Sequence, residues 1–257
     1  IRKIFFDKKY PILIDEEGGQ VSRLNKILLS TSFSGEYFGK IYKKDKKNFE
    51  KYLEIYINQI SFLLRDLGIN INNVPVLDLR RNCSEIIVGN RAFSNNKNIV
   101  SNIGKLFIKK FHENKIATVI KHIPGHGLSK VDSHFKMPVI SNNLSYLIKN
   151  DFFPFKNQNS LFAMTAHIVF KNIDKFYTVT HSKKIISIIR KKIKFKNILI
   201  SDDISMKALK FSIETNTIKA FNAGCNLVLH CNANMNEMKK VAKNSPKIDK
   251  FLMKKTL

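Results

Sequence analysis

The stretch Ala117-Thr118-Val119-Ile120-Lys121-His122-Ile123-Pro124-Gly125-His126-Gly127 decides how the rest of the chain is read. Its first four residues are apolar or β-branched, as a buried strand requires. Pro124 and the two glycines then exclude helix and strand alike, so the polar residues ride on a loop leaving the strand's C-terminal end. Leu128 to Val131 continue that loop, and Asp132-Ser133-His134 close it. His, Asp and Lys side chains concentrated among turn-formers make this loop a candidate site.

Asp132 and His134 stand two apart, so in an extended segment their side chains leave the same face. A carboxylate that accepts the Nδ1–H of an imidazole fixes its tautomer and stabilises its protonated form, giving a proton donor and acceptor that works near neutral pH. Read conservatively, the pair only pins the loop. A third reading gathers His122, His126, Asp132 and His134 as ligands of a metal-dependent barrel hydrolase.

Outward from this loop, apolar runs recur near residues 11, 74, 161, 197 and 225, alternating with helical spacing. Helices are expected over Phe49–Leu67, Ile103–Phe111, Asn143–Phe153 and Lys183–Lys194, the last capped by Ser182, and from near Ser205 to Gly224. The polar residues cluster where strands end: Asp15-Glu16-Glu17-Gly18-Gly19 after Pro11–Ile14, Asp78 after Val74, His167 after Leu161, and Ser201-Asp202-Asp203 after Asn197–Ile200. His167 is as readily structural as functional, and Asp203 suits the cap of the following helix. Alternating strands and helices argue a parallel sheet. An open sheet would gather its site at one switch point, whereas six strand ends converge only around a closed barrel. The fold class is therefore α/β, a TIM-type (β/α)8 barrel.

Several segments together resemble family 3 glycoside hydrolases, in the β-N-acetylhexosaminidase branch of peptidoglycan recycling. They are K-H-I-P-G-H-G followed by D-S-H, then D-E-E-G-G-Q-V-S-R, G-N-R-A-F, M-T-A-H-I and S-D-D-I-S-M. The resemblance runs the whole length, 1–257, as a single barrel domain that lacks the family's first β/α unit and its C-terminal end. It implies a retaining exo-β-N-acetylglucosaminidase with Asp202 as nucleophile and His134, oriented by Asp132, as acid and base. Asp15, Arg23, Arg91, Lys121 and His122 would bind the sugar. No cofactor or metal is implied. The implied substrate is a GlcNAc-anhydro-MurNAc peptide, handled by a cytoplasmic monomer.

Composition sharpens what is excluded. A formal charge of +25 invites a basic nucleic-acid-binding protein, but only 7 of the 45 basic residues are Arg, the residue that bidentate phosphate and base recognition favours. The Lys are spread along the chain and no nucleic-acid motif is present, so no specific nucleic acid is expected. No apolar run approaches the roughly 20 residues of a membrane span. Cys83, Cys225 and Cys231 are few, odd in number and without zinc spacing, which suits a reducing compartment.

Overall fold

The computed structural model describes residues 1–84, 87–133 and 135–256. Its strands are β1 (Leu13–Ile14), β2 (Ile71–Asn72), β3 (Ala117–Ile123), β4 (Val139–Ile140), β5 (Phe162–Thr165), β6 (Val169–Phe170), β7 (Ile198–Asp203) and β8 (Leu227–Leu229). Six of them form one parallel sheet in the order β1-β2-β3-β5-β7-β8, while β4 and β6 pair by themselves. The helices are α1 (Gly35–Lys44), α2 (Lys46–Asp66), α3 (Lys97–Glu113), α4 (Leu144–Lys149), α5 (Lys183–Ile188), α6 (Ile213–Ala223), α7 (Met235–Asn244) and α8 (Lys250–Thr256).

Strand alternation explains how the sheet buries both faces. Val119, Phe162, Met164, Ile198 and Ile200 join Ile71 in an inner cluster. Their sequence neighbours Ile120, Ala163 and Leu199 turn outward into the larger core against the helices. A period of two with both faces apolar is the pattern of a parallel sheet covered on each side. Leu252, from α8, enters the inner cluster. Truncating Leu252 or Ile200 to Ala removes packing worth roughly 2–5 kcal/mol.

The sheet is curled. Leu13 of β1 and Leu229 of β8 line one cavity, although these two edge strands are not paired to each other among the described residues. The architecture is thus a partial TIM-like barrel.

Local differences from the sequence reading have local causes. The expected strand at Val74–Leu79 joins β3 through the Val76–Lys121 bridge and a bond from the Val119 N–H to the Val74 carbonyl, and the regular ladder sits earlier, at β2. Pro75 has no N–H to donate, so a continuous ladder cannot pass through it. The helix expected from Ser205 begins at Ile213, capped by Ser212. Asp203 instead accepts from the Ser205 N–H and hydroxyl and folds the chain into a turn. Ser182 caps α5 as expected, and Ile185, Ile186, Ile189 and Ile193 are buried, so this basic segment packs on the sheet. Tyr52 is exposed, unlike the rest of the α2 stripe at Phe49, Leu53, Tyr56, Ile57, Ile60 and Leu64. No helix among the described residues is long and apolar enough to cross a membrane.

Candidate active site

The ends of the strands open into a cavity of about 280 Å³. Asp15, Arg23, Arg91, Lys121, His122, Asp132 and Asp202, seven residues singled out in the sequence, all line it. His134 lies outside the described residues. Leu13, Met164 and Leu229 also line the cavity, and all three belong to or pack on the inner cluster, so the floor is apolar.

One wall is an ion network. Lys121 Nζ stands 2.8 Å from Asp15 Oδ1 and 2.6 Å from Glu17 Oε1. The Arg91 guanidinium donates through Nε and Nη2 to the two oxygens of Glu17, at 2.8 and 2.9 Å. Burial would raise the Glu17 carboxyl, but Arg91 and Lys121 overcome it and hold it far below the usual range. Burial likewise works against the charge on Lys121, and Glu17 and Asp15 more than restore it. This buried network holds Arg91 and Lys121 in single positions, which a bidentate pair does better than a lone lysine contact. Arg91 therefore takes its support from Glu17, 74 residues away, rather than from position 90.

The loop carrying Glu17 is itself clamped. The buried Asn72 side chain accepts from the Glu16 N–H and donates to the Glu16 carbonyl. Glu16 Oε2 accepts from the Arg23 and Leu24 N–H groups at 2.6 and 2.9 Å and from the Ser22 hydroxyl. Arg23 is so delivered to the rim by its backbone.

The floor of the β3 loop is organised by Asp78, which is fully buried. Its carboxylate accepts the His126 N–H at 2.6 Å, the His122 N–H and, at 2.7 Å, His122 Nδ1. A carboxylate only accepts, so His122 Nδ1 carries the shared proton. Burial would raise the Asp78 carboxyl, yet His122 and His126 hold it below its usual value. His126 behind it is pushed down to about 4, first by burial and then by the neighbouring His122. Gly125, at φ +142°, and Gly127 belong to this floor. A Cβ on Gly125 would stand 2.8 Å from the Asp151 carbonyl, and one on Gly127 would collide with the Leu79 carbonyl. These two glycines serve close backbone packing.

The opposite wall is the tip of β7. Asp202 accepts the Asp203 N–H at 2.8 Å. Burial would raise its carboxyl, but His167 and His122 hold it below the usual range, in its ionised form. Asp203 turns away to bind Ser205 and the Cys231 N–H. Burial, then Asp203, Asp202 and Asp15, push the Cys231 thiol up to about 12. Asp15, just past β1, and Cys231, just past β8, line the same cavity, as the sheet's curl requires.

Sequence reading notes Glu17 and Asp78 as carboxylates at strand ends but gives neither a role; the partners that define their roles, Arg91 and His122, lie 74 and 44 residues away. Among the described residues, no three His, Cys, Asp or Glu side chains come together in a way that could hold a metal ion.

Comparison with known proteins agrees with this geometry. Residues 8–254 match the model of the glycosyl hydrolase family 3 N-terminal domain. The chain is 31% identical over 240 residues to a β-hexosaminidase of Haemophilus influenzae, covering 90% of this chain and 67% of that protein. It is 30% identical over 237 residues to β-hexosaminidase A of Pseudoalteromonas piscicida, but spans only 39% of that longer protein. Among solved structures, native NagZ from Neisseria gonorrhoeae superposes with a TM-score of 0.84 at 27% identity, covering 96% of this chain and 72% of that one. The same protein in complex with N-trifluoroacetyl-D-glucosamine gives 0.82 at 26% identity, covering 95% and 72%. A cavity walled by clamped acidic loops on a curled parallel sheet, a family match over nearly the full length and relatives of this kind lead to one assignment: the chain belongs to glycosyl hydrolase family 3, among the β-hexosaminidases.

Proposed function

We propose that this chain forms the barrel domain of a retaining exo-β-N-acetylglucosaminidase. One observation carries the reading: Asp202 and Asp132, from separate strand-end loops, line the same cavity as Asp15, Arg23, Arg91, Lys121 and His122. The Asp202 carboxylate attacks the anomeric carbon as the bond to the departing oxygen breaks, leaving a glycosyl ester on Asp202. His134, oriented by Asp132, gives its proton to that oxygen. In the second half it takes a proton from water, which attacks the same carbon and frees the sugar and the carboxylate. Asp202 is suited to attack because it is ionised and its carboxylate accepts one backbone N–H. Asp15, Arg23, Arg91, Lys121 and His122 bind the hydroxyls and the N-acetyl group.

The sugar class is supported by the Neisseria relative, solved with a glucosamine derivative. The natural substrate on this reading is a GlcNAc-anhydro-MurNAc peptide, cleaved in the cytoplasm by a monomer. The test is hydrolysis of p-nitrophenyl β-GlcNAc by the wild type, Asp202→Ala and His134→Ala. Asp202→Ala should lose at least about three orders of magnitude in kcat/KM, and His134→Ala a large factor in kcat, because p-nitrophenolate leaves with little acid help and hydrolysis of the glycosyl ester then limits turnover. Azide should partly rescue release of the aryl group in the first and of the sugar in the second. Either variant at the wild-type rate removes its residue from the mechanism.

A further inference from the structure

Behind the Asp202 wall lies a buried chain of polar groups that the mechanism above does not use. Thr165, His167 and Thr180 are all fully buried. Thr165 Oγ1 lies 2.9 Å from Thr180 Oγ1, which lies 2.8 Å from His167 Nδ1. On the other side of the ring, His167 Nε2 lies 2.9 Å from the carbonyl oxygen of Asp203.

The direction of every proton in this chain follows from its last member. A backbone carbonyl only accepts, so Nε2 must carry a hydrogen. A second hydrogen, on Nδ1, would make a cation in a fully buried place, which burial disfavours. Nδ1 is therefore the acceptor and the Thr180 hydroxyl donates to it. The alternative acceptor for Thr180, the Ala166 carbonyl, is farther away at 3.4 Å. With its one hydrogen spent on the ring, Thr180 must accept from Thr165. The order is Thr165 to Thr180 to His167 to the Asp203 carbonyl. The titratable groups facing the ring are Asp202 and Asp203 from β7, His122 from β3 and His181 from the turn before α5.

We propose that Thr165 and Thr180 lock His167 as a neutral Nε2–H tautomer whose one donated hydrogen bond fixes the backbone just after Asp202, making these three positioning residues for the attacking carboxylate. Asp202 takes its own hydrogen bond from the Asp203 N–H, while His167 holds the Asp203 carbonyl, so the backbone of residue 203 is fixed at both its N–H and its C=O. A rotation of the backbone at residue 203 would swing the Asp202 carboxylate off line, and misplacement by about 1 Å costs on the order of 100-fold in rate. The proposal rests on Asp202 being the nucleophile for its kinetic part, whereas the tautomer is a property of the protein alone.

Two measurements keep these parts separate. A two-bond proton–nitrogen correlation spectrum of protein labelled at histidine nitrogen should show the His167 ring staying neutral and Nε2-protonated from pH 8 to pH 5. His167→Gln identifies that signal by its loss, and Thr180→Val should shift it. A His167 ring that is Nδ1-protonated, or doubly protonated at pH 7, overturns the proposal whatever the enzyme does. Kinetically, Thr180→Val and Thr165→Val should lower kcat about tenfold with KM within about twofold, since ground-state contacts are untouched. Thr180→Ser, which keeps the hydroxyl, should restore kcat. Wild-type kcat in Thr180→Val, or an equal loss in Thr180→Ser, also overturns it. If Asp202→Ala proves fully active, the nucleophile assignment falls while the spectrum still decides the tautomer.

Discussion

The cavity has two acidic tips, Glu16-Glu17 past β1 and Asp202-Asp203 at the end of β7, and they divide labour in the same way. In each pair one carboxylate ties the backbone and its neighbour faces the cavity. Glu16 gathers the N–H groups of Arg23 and Leu24, and Asp203 gathers those of Ser205 and Cys231. The cavity-facing members differ. Both oxygens of Glu17 are engaged by Arg91 and Lys121, whereas Asp202 accepts one backbone N–H and, among the described residues, meets no cation at bonding distance. A carboxylate saturated by cations spends its lone pairs on structure. One held by a single backbone N–H keeps an oxygen for chemistry.

This contrast is open to direct attack by mutation. Glu17→Gln should be the most destabilising change, by about 3–5 kcal/mol, because it strands Arg91 as a buried cation and leaves Lys121 with Asp15 alone. Asp202→Asn should cost under about 1 kcal/mol, since an amide oxygen can keep the one hydrogen bond. Urea midpoints that rank the two the other way would break the comparison.

Next in size is a pH effect. His126 titrates at about 4 when folded, so between pH 6.5 and 4 the unfolded chain takes up a proton that the folded one refuses. Stability should therefore rise with pH across that window, by up to about 3 kcal/mol for this ring. His181, also pushed down to about 4 by burial and by His167, adds to the same slope. His126→Asn should flatten the slope by about one proton, read from unfolding curves at several pH values. An unchanged slope would mean that the ring is hydrated.

Smaller effects should separate the backbone-tying members. Asp203→Asn should cost roughly 2 kcal/mol by weakening charge-assisted bonds, with kcat lowered through its neighbour. Glu16→Gln should cost about 1–2 kcal/mol and raise KM, because Arg23 is delivered by that loop. Equal effects on kcat from both variants would erase the distinction between a wall that binds and a wall that reacts.

How much of this was legible in the chain follows from range. The apolar runs at Ala117–Ile120 and Asn197–Ile200 announced β3 and β7, since a strand's signal is local. The curl could be argued from where polar residues followed those runs, and seven of the expected site residues do share the cavity. What stayed hidden are partnerships between distant segments. Asp78 serves His122 from 44 residues away, and nothing beside Asp78 announces it. Helix α1 carried a readable start, with Ser34 as cap and Glu36 in its first turn, but its basic composition masked it. Asp203 was misread because an aspartate after a strand suits a helix cap and a turn equally well.

Leu252, from the last helix, packs in the same inner cluster as Met164, whose side chain also lines the cavity. The far end of the chain therefore reaches the cavity floor through shared packing, and a change of side-chain volume at this remote position would be felt there as a change of shape.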